Sequence, residues 1–180
     1  MFDIREKLLE LIPELNLIKN ERLKKSCIET WILSMKEGGW EIDDLDKIPF
    51  TLLIENVRIN LIEHTRAVIL TALRIGETLK EIYGDKIQID FDHLVAGGIL
   101  HDVGKLLEYE KKDGKYIKSK RGNLLRHPFS GVMIAGRCGV PDEVLHLIAV
   151  HSKEGEGARR SVEAILINHA DFANFEPFKL

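Results

Sequence analysis

Cysteine is scarce in this chain: Cys27 and Cys138 are two thiols in 180 residues, far apart and without short-spaced partners. That leaves neither a disulfide framework nor a thiolate zinc finger. With 5 prolines and 14 glycines, the chain is neither collagen-like nor a low-complexity coil. Long apolar runs are missing as well. Ala67 to Leu70 and Leu94 to Leu100 fall far short of the roughly 18–20 residues that a bilayer span requires. The start, Met1-Phe2-Asp3-Ile4-Arg5-Glu6-Lys7, mixes acids with bases where a secretory leader needs a basic end and an apolar centre. A cytoplasmic protein with no membrane partner is expected. Excess positive charge is absent too, and a net charge of −3 argues against a protein that coats nucleic acid generically.

What is present is core-forming material, 44% hydrophobic against 31% charged. At this length about 70% of the unfolded surface is buried on folding, which points to a single compact domain. Apolar residues recur at three and four, the pattern of helices packed on helices, so the predicted class is all-α. Ile4, Leu8, Leu9, Leu11 and Ile12 place a helix over 3–12, stopped at Pro13. A second is predicted over 15–35, closed by Gly38-Gly39, and a long third over 57–83, stopped by Gly84. Asp90 or Asp92 caps the next, through Leu100. Gly97-Gly98 inside it costs about 1 kcal/mol per glycine relative to Ala, which suggests close helix packing there. Residues 111–120, centred on Asp113-Gly114, give the one strand signal, a hairpin. Helices over 124–137, 141–150 and 161–172 complete the chain.

Seven histidines, His64, His93, His101, His127, His146, His151 and His169, sit largely among small or apolar neighbours. For any one of them, a buried neutral ring held by a hydrogen bond is the ordinary explanation, so the argument rests on the set. His101-Asp102 ends the apolar run Val95 to Leu100. On a helix, adjacent residues point about 100° apart, so the imidazole and carboxylate reach one ion from neighbouring directions, and the second carboxylate oxygen is free for another. His64 and Asp171 add a nitrogen and an oxygen from distant parts of the chain. Such a mixed set suits Mn, Fe, Co, Ni or Zn.

The order His64, His101-Asp102, Asp171 on a helical chain resembles the H…HD…D signature of the HD-domain superfamily of metal-dependent phosphohydrolases, over roughly residues 57–176. His101-Asp102-Val103-Gly104-Lys105 is similar to the HDIGK form of the ribonuclease Y and HD-GYP branch. His127-Pro128 and Val150-His151 resemble the extra histidines of members with two ions, and Ser161-Val162-Glu163-Ala164 with His169-Ala170-Asp171 resembles the end of that domain. His151 is followed by Ser152 rather than a second His, and no GYP triplet follows. The resemblance implies an HD-domain helical bundle over 51–180, with 1–50 as a helical extension packed on it. It also implies one or two ions: His64, His101, Asp102 and Asp171 on the first, with Asp102 bridging to a second held by His127 and His151. A metal pair about 3.5–4 Å apart activates a water and clamps phosphoryl oxygens. The expected reaction is therefore hydrolysis of a phosphate ester of a nucleotide, cyclic dinucleotide or short oligonucleotide of RNA or DNA.

Asp102 and Lys105 are the expected catalytic pair. Lys105 reaches a substrate phosphate or the hydroxide if the helix continues through Gly104; its alternative is a surface lysine paired with Glu108 or Glu110. Arg58, Arg126, Lys153 and Arg159, with Lys105, are candidate phosphate contacts, and Arg121 and Arg160 add to a cationic mouth. Glu154 is a ligand, a base or a loop charge. His93, His146 and His169 are expected to be structural, and Trp31, Trp40, Met35, Met133 and the Phe172 to Phe178 stretch to be packing groups. A non-catalytic nucleotide-binding module and a diiron oxygenase are the competing readings. Oligomeric state is not legible.

Overall fold

The computed structural model describes residues 4–179; Asp3, where the first helix was expected to start, lies outside them. The chain runs through α1 (Ile4–Leu11), a 3₁₀ turn at Pro13–Leu17, α2 (Glu21–Gly38), α3 (Leu61–Tyr83), α4 (Phe91–Leu100) and the one-turn α5 (Lys105–Glu108). A hairpin of β1 (Tyr109–Lys112) and β2 (Lys115–Lys118) follows, then α6 (His127–Arg137), α7 (Asp142–Val150) and α8 (Val162–Phe175). The all-helical class and the single small hairpin agree with the sequence periodicity. The hairpin pairs Tyr109 with Lys118 and Lys112 with Lys115. Asp113 and Gly114 both have positive φ, 51° and 76°, as a two-residue hairpin turn demands.

Caps explain where helices begin later than the apolar pattern alone implies. Asn20 Oδ1 accepts from the backbone of Arg22 and Leu23, both at 3.1 Å, so α2 starts at Glu21 and the preceding residues form a separate turn. Asn60 and Glu63 form a reciprocal capping box at 2.8 and 2.9 Å, which starts α3 at Leu61 and leaves residues 51–60 as irregular chain. Pro128 in the first turn of α6 likewise sets its start at His127.

α4 is the central element, packed against α3, α7 and α8. Gly97 and Gly98 make this possible. A Cβ on Gly97 would lie 2.2 Å from Leu147 of α7, and one on Gly98 would lie 2.8 Å from Ile69 of α3, the close approach that the sequence suggests. Every residue from Leu94 to Tyr109 is buried. The stretch that a membrane-span criterion could have flagged is thus the centre of the core, and no described helix is long and apolar enough to cross a membrane.

The N-terminal helices pack directly on this centre. Trp31 and Trp40 donate their indole N–H groups to the carbonyls of Ile99 and Leu106 at 3.2 and 2.7 Å. Asp92 accepts from the backbone of Lys19 and Asn20 at 3.0 and 2.8 Å, and Arg66 reaches both oxygens of the buried Glu14. Trp31, Trp40, Met35 and Cys27 are buried as packing groups, whereas Met133 and Phe178 are exposed. Cys27 and Cys138 are free thiols.

After α4 the chain turns through His101–Gly104 before α5, so the helix is interrupted where the sequence reading let it continue. Gly104 permits the turn to lie on the start of α6: a Cβ there would stand 2.0 Å from the His127 carbonyl oxygen and 2.7 Å from the Gly131 nitrogen. Both are backbone atoms, which have little room to yield. Gly104→Ala is therefore expected to cost about 1–3 kcal/mol of stability, measured as a lower urea midpoint with an unchanged slope; a wild-type midpoint would contradict this packing.

Candidate active site

Six predicted side chains converge where the interrupted helix turns. His64 comes from the second turn of α3, His101 and Asp102 from the turn after α4, His127 from the first residue of α6, His151 from the end of α7, and Asp171 from α8. His64, His101, Asp102, His127 and His151 are all buried. Asp102 lies in the middle and its two oxygens face different partners. Oδ2 is 3.5 Å from His64 Nε2 and 3.3 Å from His101 Nε2. Oδ1 is 3.3 Å from His127 Nε2 and 3.8 Å from His151 Nε2. Asp171 Oδ1 joins the first group, 3.0 Å from His64 Nε2.

Hydrogen bonds on the far side of three rings fix their orientation. His101 Nδ1 donates to the Gly98 carbonyl at 2.7 Å and His151 Nδ1 to the Ile148 carbonyl at 2.8 Å. A carbonyl can only accept, so both Nδ1 atoms carry hydrogen. His127 Nδ1 faces Glu108 Oε2 at 3.0 Å, and the same oxygen accepts the His127 backbone N–H at 2.6 Å. In their neutral form the three rings then turn bare Nε2 lone pairs inward, the arrangement by which outer partners orient metal-binding imidazoles.

That inward geometry is unfavourable without a cation. His127 and His151 Nε2 stand 3.2 Å apart with no hydrogen to share when both rings are neutral. His101 Nε2 is buried without a hydrogen-bond partner, a condition that costs about 1–3 kcal/mol when nothing satisfies it. His64, His101 and Asp102 form one group able to hold an ion, and Asp102, His127 and His151 form another. Nitrogen and oxygen donors without thiolate suit a first-row divalent ion, so the residues fit the metal that their pattern implies.

Lys105 is buried, with Nζ 2.5 Å from Asp102 Oδ2 and 2.5 Å from the Phe50 carbonyl. Neither Glu108 nor Glu110 is its partner. Burial opposes charge on both members of the pair, but their mutual attraction prevails: Lys105 is raised and Asp102 is held well below the usual carboxylate range, with His101 also contributing. Burial likewise opposes the charge on Asp171, yet the His64 hydrogen bond and the nearby imidazoles bring its pKa down to about 2. Burial lowers His64 and His127, which keeps their nitrogens available as donors of lone pairs.

A cavity of about 480 Å³ opens onto His64, Asp102, Lys105, His127 and Asp171. Arg126, Lys118, Lys153 and Lys179 supply its positive charge, and Phe50, Leu52, Leu53, Phe172 and Phe175 its apolar wall. Arg126 spans Glu108 at 3.3 Å and Glu154 at 2.9 Å. Ser152 Oγ donates to the other oxygen of Glu154 at 2.6 Å, so Glu154 anchors the mouth. The structure does not bring Arg58 or Arg159 to this cavity. Arg58, in the irregular chain before α3, lines a shallower hollow with Asn56, Lys115 and Tyr116, and Arg159 is exposed outside the wall. Arg121 pairs with Glu37, and Arg160 binds the Val150 and Ser152 carbonyls. His146 accepts from the Ser161 N–H, and His93 lies beside Asp90.

A family model for the HD domain matches residues 61–172, the segment that contains all six converging side chains. The chain belongs to the HD-domain family of metal-dependent phosphohydrolases. Among its relatives, dihydroneopterin 2',3'-cyclic phosphate phosphodiesterase of Methanocaldococcus jannaschii is 30% identical over 176 residues, which cover 94% of this chain and 68% of the relative. Ribonuclease Y of Acidothermus cellulolyticus is 30% identical over 93 residues, 52% of this chain but 16% of that enzyme. Ribonuclease Y of Desulforudis audaxviator is 38% identical over 74 residues, 41% of this chain and 12% of the enzyme. No solved structure matches significantly.

Two groups of this HD domain escaped the sequence reading. The sequence offers Glu108 only as a partner for Lys105, yet it orients His127; the signal is an acid beside the apolar Leu106-Leu107. Asn168, whose Nδ2 donates to the His151 carbonyl at 2.6 Å, gave no signal. Glu108→Ala would leave two buried His127 N–H groups without their acceptor. A loss of about 1–3 kcal/mol is expected, read by thermal or urea unfolding, and an unchanged stability would remove Glu108 from this role.

Proposed function

We propose that this HD domain is a binuclear phosphodiesterase that opens a small cyclic phosphate diester, with Asp102 shared between two divalent ions. The observation that carries this reading is the division of four imidazoles between the two oxygens of one buried carboxylate. His64, His101, Asp102 and Asp171 would hold one ion, and Asp102, His127 and His151 the other. Mn, Fe, Co, Ni and Zn all suit these donors. Bound there, such ions supply a water that ionises near neutral pH and Lewis-acid stabilisation of the phosphoryl oxygens.

The residues of the chain do the rest. Lys105 commits two of its three N–H groups to Asp102 and the Phe50 carbonyl, and the third is left for a phosphate oxygen in the cavity that it lines. Its positive charge offsets the negative charge of Asp102 and so adds to the attraction that the bound ions would exert on an incoming phosphate. Arg126 and Lys153 at the mouth attract the same anion. Glu108 keeps the His127 lone pair turned inward.

Size and chemistry favour a small substrate. About 480 Å³ is the volume of a site for one nucleotide-sized molecule, and the cavity offers an apolar wall beside its cations. The relative that covers most of the chain is named for a 2',3'-cyclic phosphate, a strained diester of that size.

The test is hydrolysis of 2',3'-cyclic mononucleotides by protein reconstituted with each metal, alongside metal analysis. Wild type is expected to bind two ions per chain and yield a phosphomonoester. Asp102→Asn is expected to lose about a thousandfold or more in rate and to retain fewer ions, with its helical circular dichroism intact. Equal activity in the variant, or turnover undiminished by chelator, would refute the shared-carboxylate site.

A further inference from the structure

The cavity has a second half that the metal-dependent reaction does not use. Phe50 lies with its ring centroid 4.5 Å from that of His64, so the aromatic wall begins directly beside the inner ligands. Phe175 meets Phe50 edge-on at 5.9 Å. Phe172 and Phe175 are one helical turn apart on α8, and Phe175 follows Asp171 by four residues. That spacing places Asp171 and Phe175 on the same face of the helix. Both phenylalanines line the cavity and are only partly buried. Leu53, 68% exposed, lines it as well.

A core would not leave such groups half covered around a cavity. The apolar wall needs a flat apolar occupant, and Phe175 already holds a substitute: Lys179 Nζ stands 4.3 Å from its ring centroid, a cation–π contact from an exposed, flexible side chain. We infer that Phe172 and Phe175 form a stacking subsite for a planar heteroaromatic ring carried by the substrate, which displaces Lys179 as it enters. The inference rests on the phosphodiesterase reading only for where the phosphate lies. Asp171, which would hold the ion beside that phosphate, and Phe175, which faces the ring, then lie one helical turn apart on α8. Aromatic stacking tolerates any flat heterocycle, so a pterin and a purine are the two sources of the same chemistry.

Two measurements separate this subsite from the reaction. The first is binding of neopterin and of guanosine, neither of which carries a phosphate, followed by pterin or aromatic fluorescence. Wild type is expected to bind at least one of them, Phe175→Leu at least tenfold more weakly, and Phe175→Trp with affinity restored. The second is the ratio of kcat/KM for guanosine 2',3'-cyclic phosphate to that for glycerol 1,2-cyclic phosphate, which has no ring. This ratio is expected to fall at least tenfold in Phe175→Leu, through KM rather than kcat, and to recover in Phe175→Trp. Stronger binding of neopterin than of guanosine assigns a pterin, and the reverse a purine. Binding without turnover of either diester would refute the phosphodiesterase reading and leave the subsite standing. Turnover with no heterocycle binding, or equal losses on both diesters that Trp does not rescue, would overturn the subsite.

Discussion

A buried carboxylate surrounded by imidazoles constrains everything else in this molecule. Asp102 sits in the middle of the longest continuously buried stretch among the described residues, 94–109, where an isolated charge is prohibitively costly. Lys105, three residues later, supplies the opposite charge inside the same stretch. The pair is mutually reinforcing: each group is buried, and each holds the other ionised. Because Lys105 is also tied to the Phe50 carbonyl, the charge balance of the centre depends on a residue that precedes the family match altogether. The N-terminal part of the chain therefore closes the site as well as covering the core.

The same economy of position governs the imidazoles. Each of His101 and His151 donates to a carbonyl three residues earlier in its own helix, so the helix end that delivers the ring also sets its tautomer. His127 opens a helix and has no such carbonyl behind it. Glu108 takes that place, reading both the ring and the backbone N–H. A helix end and a carboxylate thus solve one problem in two ways, and the result is a set of lone pairs aimed at a shared carboxylate.

Much of this was legible in the order of residues. His64, His101-Asp102 and Asp171 carried the family signature, and the Gly97-Gly98 pair signalled the close packing of α4. Legibility failed where tertiary context decides. Lys105 was tied to a continuing helix, but the helix breaks at His101 and the ammonium still returns to Asp102 across the turn. Arg58 and Arg159 have the charge of phosphate ligands, yet the loops that carry them lead away from the cavity. Phe172 and Phe175 looked like packing groups because partial exposure inside a cavity leaves no mark in periodicity. Glu108 was hidden because its partner, His127, is distant in sequence and becomes a neighbour only when Gly104 lets the two backbones meet.

These failures share a cause. The inner residues are fixed from behind, His101 and His151 by a bond three residues back at a helix end and His127 by Glu108. The cavity wall is assembled from segments that the inner set leaves almost unconstrained: residues 50–53 before α3, the loop around Lys153, and the end of α8. A substitution at Phe175 alters no bond to Asp102, whereas one at Gly104 shifts the start of α6 and with it His127. The two parts are therefore separable in this fold, because the buried ionic centre is held from behind by the core while the cavity wall in front is built by elements that end beside it.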